Sequence, residues 1–153
     1  MGAVAVNLVD AQAVRNAVAG MQQKLSAKDL KFFVQQYLPG GLEVILGAKA
    51  EEGLGHLIMF GLGGIYVEVM KDVVFNLTPL TDAEAEEMLT EIKGSPLLEG
   101  VRGQKGVHRA GLIEILQRLS RLVEDLPEIA EMDLNPVMAF NDGVAVVDAR
   151  IRL

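Results

Sequence analysis

Apolar and polar positions along the chain switch between a helical and a strand period, and each switch marks an element. After Asp10, the residues Val14, Ala17, Val18, Met21 and Leu25 recur on one helix face, with Asp10 placed to cap it and an end near Ser26. Lys31 to Leu38 is rich in β-formers (Phe32, Phe33, Val34, Tyr37) and reads as a strand. Pro39-Gly40-Gly41 reads as a turn, Leu42 to Lys49 as a strand, and Glu51 to Gly55 as a second turn. The apolar run Leu57 to Phe60 leads into Gly61-Leu62-Gly63-Gly64. Beyond it Ile65, Val67 and Val69 alternate with Tyr66, Glu68 and Met70, which is a strand period. Val73 to Leu77 is a further strand, closed by Thr78-Pro79.

The middle of the chain turns helical. Thr81 with Glu84 three residues on forms a capping box, and Ala85, Met88, Leu89 and Ile92 supply the buried face of a helix that Gly94 ends. A loop of glycine and charge (Gly100, Arg102, Gly103, Lys105, Gly106) precedes a helix from about Arg109 to Asp125. Leu112, Ile115, Leu116, Leu119, Leu122 and Val123 form its core side, and Pro127 stops it. Ile129 to Leu134 and Val137 to Phe140 read as strands around Asn135-Pro136. Asn141-Asp142-Gly143 is a hairpin turn, with Val144 to Ile151 as the return strand. Ala3 to Leu8 reads as one more strand, which needs a partner in this domain or on another chain, so a homo-oligomer is one expectation. The order predicts a mixed α/β (α+β) fold with a largely antiparallel sheet and flanking helices.

Composition narrows the function. The 153 residues carry 14 Lys+Arg against 21 Asp+Glu, a net charge of −7, so neither nucleic acid nor an anionic membrane is an expected partner. There is no Cys, which removes disulfides and thiolate metal sites and suits a cytoplasmic setting. The two histidines, His56 and His108, read as surface or packing residues. No apolar run approaches the ~20 residues of a membrane helix, and nothing at the amino end reads as a signal peptide.

The last hairpin gathers candidate chemistry. If the turn places Phe140 opposite Gly143, the register carries Asn135 opposite Asp148, with Cβ atoms ~5 Å apart. Asp133, two residues before Asn135, points to the same face. Three hard oxygen donors then converge, which is chemistry that magnesium prefers when nucleotide phosphates complete its shell. The same pattern also fits a solvated strand face, but the apolar run Val144-Ala145-Val146-Val147 makes the strand of Asp148 look buried, and a buried Asp needs a partner. The glycine run Gly61 to Gly64 lies between strands and so is not a dinucleotide fingerprint; it suits a tight turn or a close backbone approach to a ligand. Arg102, Lys105 and Arg109 fit either a solvated loop or an anion contact.

Taken together, these runs resemble a known family. "GGLEVILGA", "IMFGLGGIYVEVMKDVVFNLTPLT", "LLEGVRG" and "EIAEMDLNPVMAFNDGVAVVDARIRL" are similar, in order, to the ATP-grasp domain of the NDP-forming acyl-CoA synthetases. These are the ADP-forming acetate–CoA ligase type, relatives of the succinyl-CoA synthetase beta subunit. The resemblance implies an ATP-grasp fold and a reaction of acyl-CoA, ADP and phosphate to acid, CoA and ATP through a phosphohistidine. It implies Mg2+ and ATP/ADP as cofactors, and a CoA-binding phosphohistidine subunit or domain as partner. By the same resemblance, Asn135 and Asp148, with Asp133, are metal ligands, while Glu43 and the glycines Gly61, Gly63 and Gly64 lie on the nucleotide. Gln35 and Gln36 stand where the family has Gln-Glu in the hinge strand that meets the adenine. Residues 1–28 match the end of the amino-terminal subdomain and 29–153 the carboxyl-terminal nucleotide subdomain. The segment bearing a phosphate-binding lysine is expected before Met1, so the isolated chain is expected to be inactive. A synthetase-like regulatory or sensing domain, of the kind fused to acetyltransferases, is the alternative that the resemblance leaves open.

Overall fold

The computed structural model describes residues 2–25, 29–64, 71–101, 103 and 105–153. They divide into two compact units, Met1–Pro39 and Gly40–Leu153.

The first unit contains α1 (Ala11–Lys24), capped as expected: the Asp10 carboxylate accepts from the Ala13 N–H at 2.7 Å. None of its residues is buried. The expected strands at 3–8 and 31–38 are absent, because neither segment enters a ladder. Val4, Val6, Phe33 and Val34 stand exposed. β-propensity describes fit to a pleated, half-buried surface, and these side chains have none to meet among the described residues.

The second unit is built on an antiparallel sheet. Its strands are β1 (Leu42–Glu51), β2 (Gly55–Leu62), β3 (Val73–Leu77), β4 (Glu131–Ala139), β5 (Val144–Val146) and β6 (Ala149–Arg152), in the order β3-β2-β1-β4-β5, with β6 also on β4. Glu52-Gly53-Leu54 turns β1 into β2, and Gly53 takes the left-handed conformation that the turn requires (φ 78). The expected break at Asn135-Pro136 is instead a bulge in one strand. Val44 pairs with Val137 and Leu46 with Leu134, so Asn135 and Pro136 together oppose Ile45. A bulge is one of the few sheet positions that tolerates proline, which cannot donate to the ladder. The strand expected over Ile65 to Met70, including Glu68, lies outside the described residues, as does Arg102.

Three helices follow β3: α2 (Asp82–Glu91), α3 (Ser95–Glu99) and α4 (Arg109–Asp125). The capping box forms in full, with Thr81 Oγ1 accepting from the Glu84 N–H and the Glu84 carboxylate accepting from the Thr81 N–H. The short α3, which periodicity cannot register in five residues, starts at Ser95-Pro96. The helices cover one face of the sheet. Val44, Leu46, Ile58, Phe60, Leu62, Leu134 and Val137 from the strands pack with Met88, Leu89, Ile92, Leu112, Leu116 and Val123. Ile115 and Leu122, expected in the core, are only half-buried at its margin. Polar groups inside are paired: Ser120 Oγ accepts from the Leu80 N–H at 3.0 Å and donates to Glu124 at 2.9 Å.

Two outcomes follow from this packing. Phe60→Ala, which empties the largest fully buried side chain, should lower unfolding free energy by about 3–5 kcal/mol in denaturant titration. A loss under about 1 kcal/mol would contradict the core described. The Thr81 hydroxyl, and then its backbone N–H, hold the Glu84 carboxyl below its usual 4.5. A depressed folded-state pKa contributes stability above the unfolded value and loses it as pH falls through the folded one. NMR titration should therefore place the Glu84 midpoint below 4.5, and the acid-side decline that it causes should disappear in Glu84→Gln.

Candidate functional site

The register of the last hairpin holds along its whole length. Val137 pairs with Val146, Met138 with Ala145 and Ala139 with Val144. Leu134 then pairs with Ala149 and Asp133 with Arg150. Between the two runs, the Asn135 N–H donates to the Asp148 carbonyl at 3.1 Å and the Val147 N–H to the Pro136 carbonyl at 3.0 Å. Asn135 and Asp148 are thus direct cross-strand neighbours, as the turn predicts, and opposed residues share a face. That face is the one turned from the helices, since Met132, Leu134, Val137 and Ala139 fill the other.

One row across the second face collects several expected residues. Gly61 pairs with Ile45, Ile45 meets the Asn135–Pro136 bulge, and Asn135 meets Asp148. Each step is ~4.8 Å. Glu43 begins the adjacent row, two residues from Ile45, and its carbonyl accepts from the Gly63 N–H at 2.7 Å. The glycine turn packs directly on it. A Cβ at Gly63 would lie 3.0 Å from Glu43 Cβ, and one at Gly64, whose φ is +59, 3.0 Å from Glu43 Oε2. Only glycine lets the turn approach this closely with its N–H groups bare of side chains. Asp133 opposes Gly47 on the row beyond.

The remaining expected residues lie elsewhere. Gln35 and Gln36 belong to the first unit and are exposed there. Arg109, offered by the sequence as an anion contact, is engaged by the carboxylates of Glu86 and Glu99. His56 is a packing residue, 5% exposed, with Nε2 2.7 Å from the Ile129 carbonyl. His108 Nδ1 caps α4 by accepting from the Gly111 N–H at 3.1 Å.

Asp148 is not buried, contrary to the apolar appearance of its strand. Its side chain is 51% exposed because it lies between β5 and β6 at the sheet edge, where no further strand among the described residues covers it. Its Oδ2 is 3.5 Å from Nε of Arg150. Sequence reasoning missed Arg150; its signal was the two-residue spacing that puts it on the face of Asp148 and Asp133. Among the described residues no three His, Cys, Asp or Glu side chains come together as a ready-made cage. One carboxylate and one amide oxygen, on opposed residues of neighbouring strands, could serve as part of the donor set of a magnesium ion that brings phosphate oxygens with it. The residues present fit that group. Among the described residues no helix is long and apolar enough to cross a membrane.

Comparison with known proteins gives the family. The family model of the ATP-grasp domain matches residues 1–153, and the chain belongs to that family. It is 43% identical to the 4-hydroxybutyrate–CoA ligase [ADP-forming] of Nitrosopumilus maritimus, an alignment covering 99% of this chain and 23% of that protein. It is 39% identical to the beta subunit of acetate–CoA ligase [ADP-forming] I of Pyrococcus furiosus, covering 99% of this chain and 68% of the subunit. The acetyl-coenzyme A synthetase 1 of Ca. Korarchaeum cryptofilum superposes with a TM-score of 0.87 at 40% identity, over 97% of this chain and 67% of that one. That structure holds coenzyme A and Mg-AMPPCP, with a phosphohistidine segment pointing towards the nucleotide binding site. The chain therefore spans under a quarter of the Nitrosopumilus ligase and about two thirds of the other two.

Because Asp148 and Arg150 are exposed and serve no packing, Asp148→Asn and Arg150→Gln should each change unfolding free energy by under about 0.5 kcal/mol. A loss above about 2 kcal/mol in either would show that the pair belongs to the fold and not to a ligand site.

Proposed function

We propose that this chain is the nucleotide- and magnesium-binding part of an NDP-forming acyl-CoA synthetase. The whole enzyme would convert acyl-CoA, ADP and phosphate to carboxylic acid, CoA and ATP, or the reverse, through a phosphohistidine carried on a CoA-binding domain or subunit. A soluble cytoplasmic setting accords with nucleotide and CoA substrates. The observation that carries the reading is the row from Gly61 across Ile45 to Asn135 and Asp148 on the face turned from α2–α4.

Each residue then has a task its chemistry suits. Asn135 Oδ1 and the Asp148 carboxylate, with Asp133 beside them, hold the metal side of the nucleotide. When bound, Mg2+ would supply positive charge against the charge that develops as a phosphoryl group is transferred. The Gly64 N–H meets the phosphates without side-chain obstruction. The Glu43 carbonyl, accepting from the Gly63 N–H at 2.7 Å, keeps the turn in place. Arg150, one ladder step from Asp133 and beside Asp148, keeps the acid pair from standing as uncompensated negative charge before the metal arrives.

The test is calorimetric titration of the chain with ADP, with and without magnesium. Binding should depend on magnesium, and Asp148→Asn should remove that dependence while leaving the thermal transition in place. Binding equally strong without the metal, or unchanged in Asp148→Asn, would refute the metal assignment.

A further inference from the structure

The proposed nucleotide chemistry makes no use of Asp72, yet it is buried, at 4% exposure. It stands immediately before β3. Its Oδ1 accepts from the Lys93 N–H at 2.8 Å and its Oδ2 from the Gly94 N–H at 2.7 Å. Lys93 and Gly94 lie just past the end of α2, so one carboxylate takes both N–H groups of the turn that leaves this helix. Charge-assisted bonds of this length are strong and directional, which makes the joint stiff.

The joint reaches the glycine turn by direct contact. A Cβ at Gly61 would come within 2.6 Å of the Asp72 carbonyl oxygen. A Cβ at Gly94 would come within 2.1 Å of Leu62 Cδ1 and 3.1 Å of Asp72 Oδ2. Gly61 and Leu62 are the last two residues of β2, directly before Gly63 and Gly64. Asp72 thus presses on the end of β2 with its own backbone, and holds Gly94 against it with its carboxylate. Both contacts leave no room for a methyl group, so the end of β2 has little freedom to shift. The next N–H along, that of Gly63, is the one held by the Glu43 carbonyl at 2.7 Å.

We infer that Asp72 is a positioning residue for the glycine turn: by clamping Lys93–Gly94 onto the end of β2, it sets the Gly63–Glu43 hydrogen bond and with it where the Gly64 N–H stands for a phosphate. The phosphate part of this inference rests on the nucleotide reading above; the mechanical part does not.

The experiment uses the chain in three forms, wild type, Asp72→Asn and Asp72→Glu. Asn keeps the size but turns an amide NH2 toward one of the two N–H groups. Glu keeps both oxygens on a longer stem, and carries the same test if the Asn variant fails to fold. Amide hydrogen exchange at Gly63 is compared with exchange at Leu116 in the core, which separates local from global opening. In Asp72→Asn, exchange at Gly63 should quicken about tenfold relative to Leu116, and the dissociation constant for ADP with magnesium should rise about tenfold. Asp72→Glu should recover part of both. If Gly63 and Leu116 quicken together and ADP affinity of the folded protein holds, Asp72 is a stability residue and the inference is wrong. It is equally wrong if Gly63 loosens while ADP affinity stays at the wild-type value. Wild type that binds no ADP refutes the nucleotide reading instead, and Gly63 exchange then decides the clamp alone.

Discussion

The arrangement depends on one constraint, the unbroken register between β4 and the strands that return along it. A slip by a single residue would move every side chain of β5 and β6 to the opposite face. Met132, Leu134, Val137 and Ala139 leave the core unless they point at the helices. Burial of that face therefore forces Asn135 and Asp148 to share the other. The fold thus delivers the polar pair without any direct interaction between the two side chains.

The bulge at Asn135–Pro136 adds a second adjustment. It lets Leu134 and Val137 both face the core although three steps separate them, because one extra residue is absorbed opposite Ile45. Proline makes no demand on the ladder there. The glycine turn meets the same region from the other side, over β1, where a Cβ at Gly63 would stand 3.0 Å from Glu43. One face of the sheet is given to packing, and the other to close backbone approach and hard oxygen donors. This division lets the second unit pack as an ordinary layer of helices on a sheet and still set a glycine turn beside Glu43.

Much of this was legible in the residues, for physical reasons that differ by element. The capping box at Thr81–Glu84 and the apolar stripe of α4 are local signals, and both elements stand where periodicity puts them. The Asn-Asp-Gly turn fixes pairing over a short loop, so the opposition of Asn135 and Asp148 followed from counting residues. The failures have the opposite character. Strand expectations at 3–8 and 31–38 rested on composition, and composition does not supply a pairing partner. The apolar run before Asp148 suggested burial, but burial at a sheet edge is set by what lies beside the strand. Asp72 gave no signal at all, since its partners are backbone N–H groups some twenty residues away.

The central claim is that the metal of a bound nucleotide sits between Asn135 and Asp148. Manganese substituted for magnesium broadens the NMR signals of nuclei close to it, so a titration of the labelled chain with manganese in the presence of ADP locates the ion directly. The account predicts that the side-chain amide of Asn135 and the amide of Asp148 broaden first, with Asp133 next and Phe75 on β3 unaffected. Broadening centred on β3, or on any group of residues that leaves Asn135 and Asp148 sharp, would contradict it.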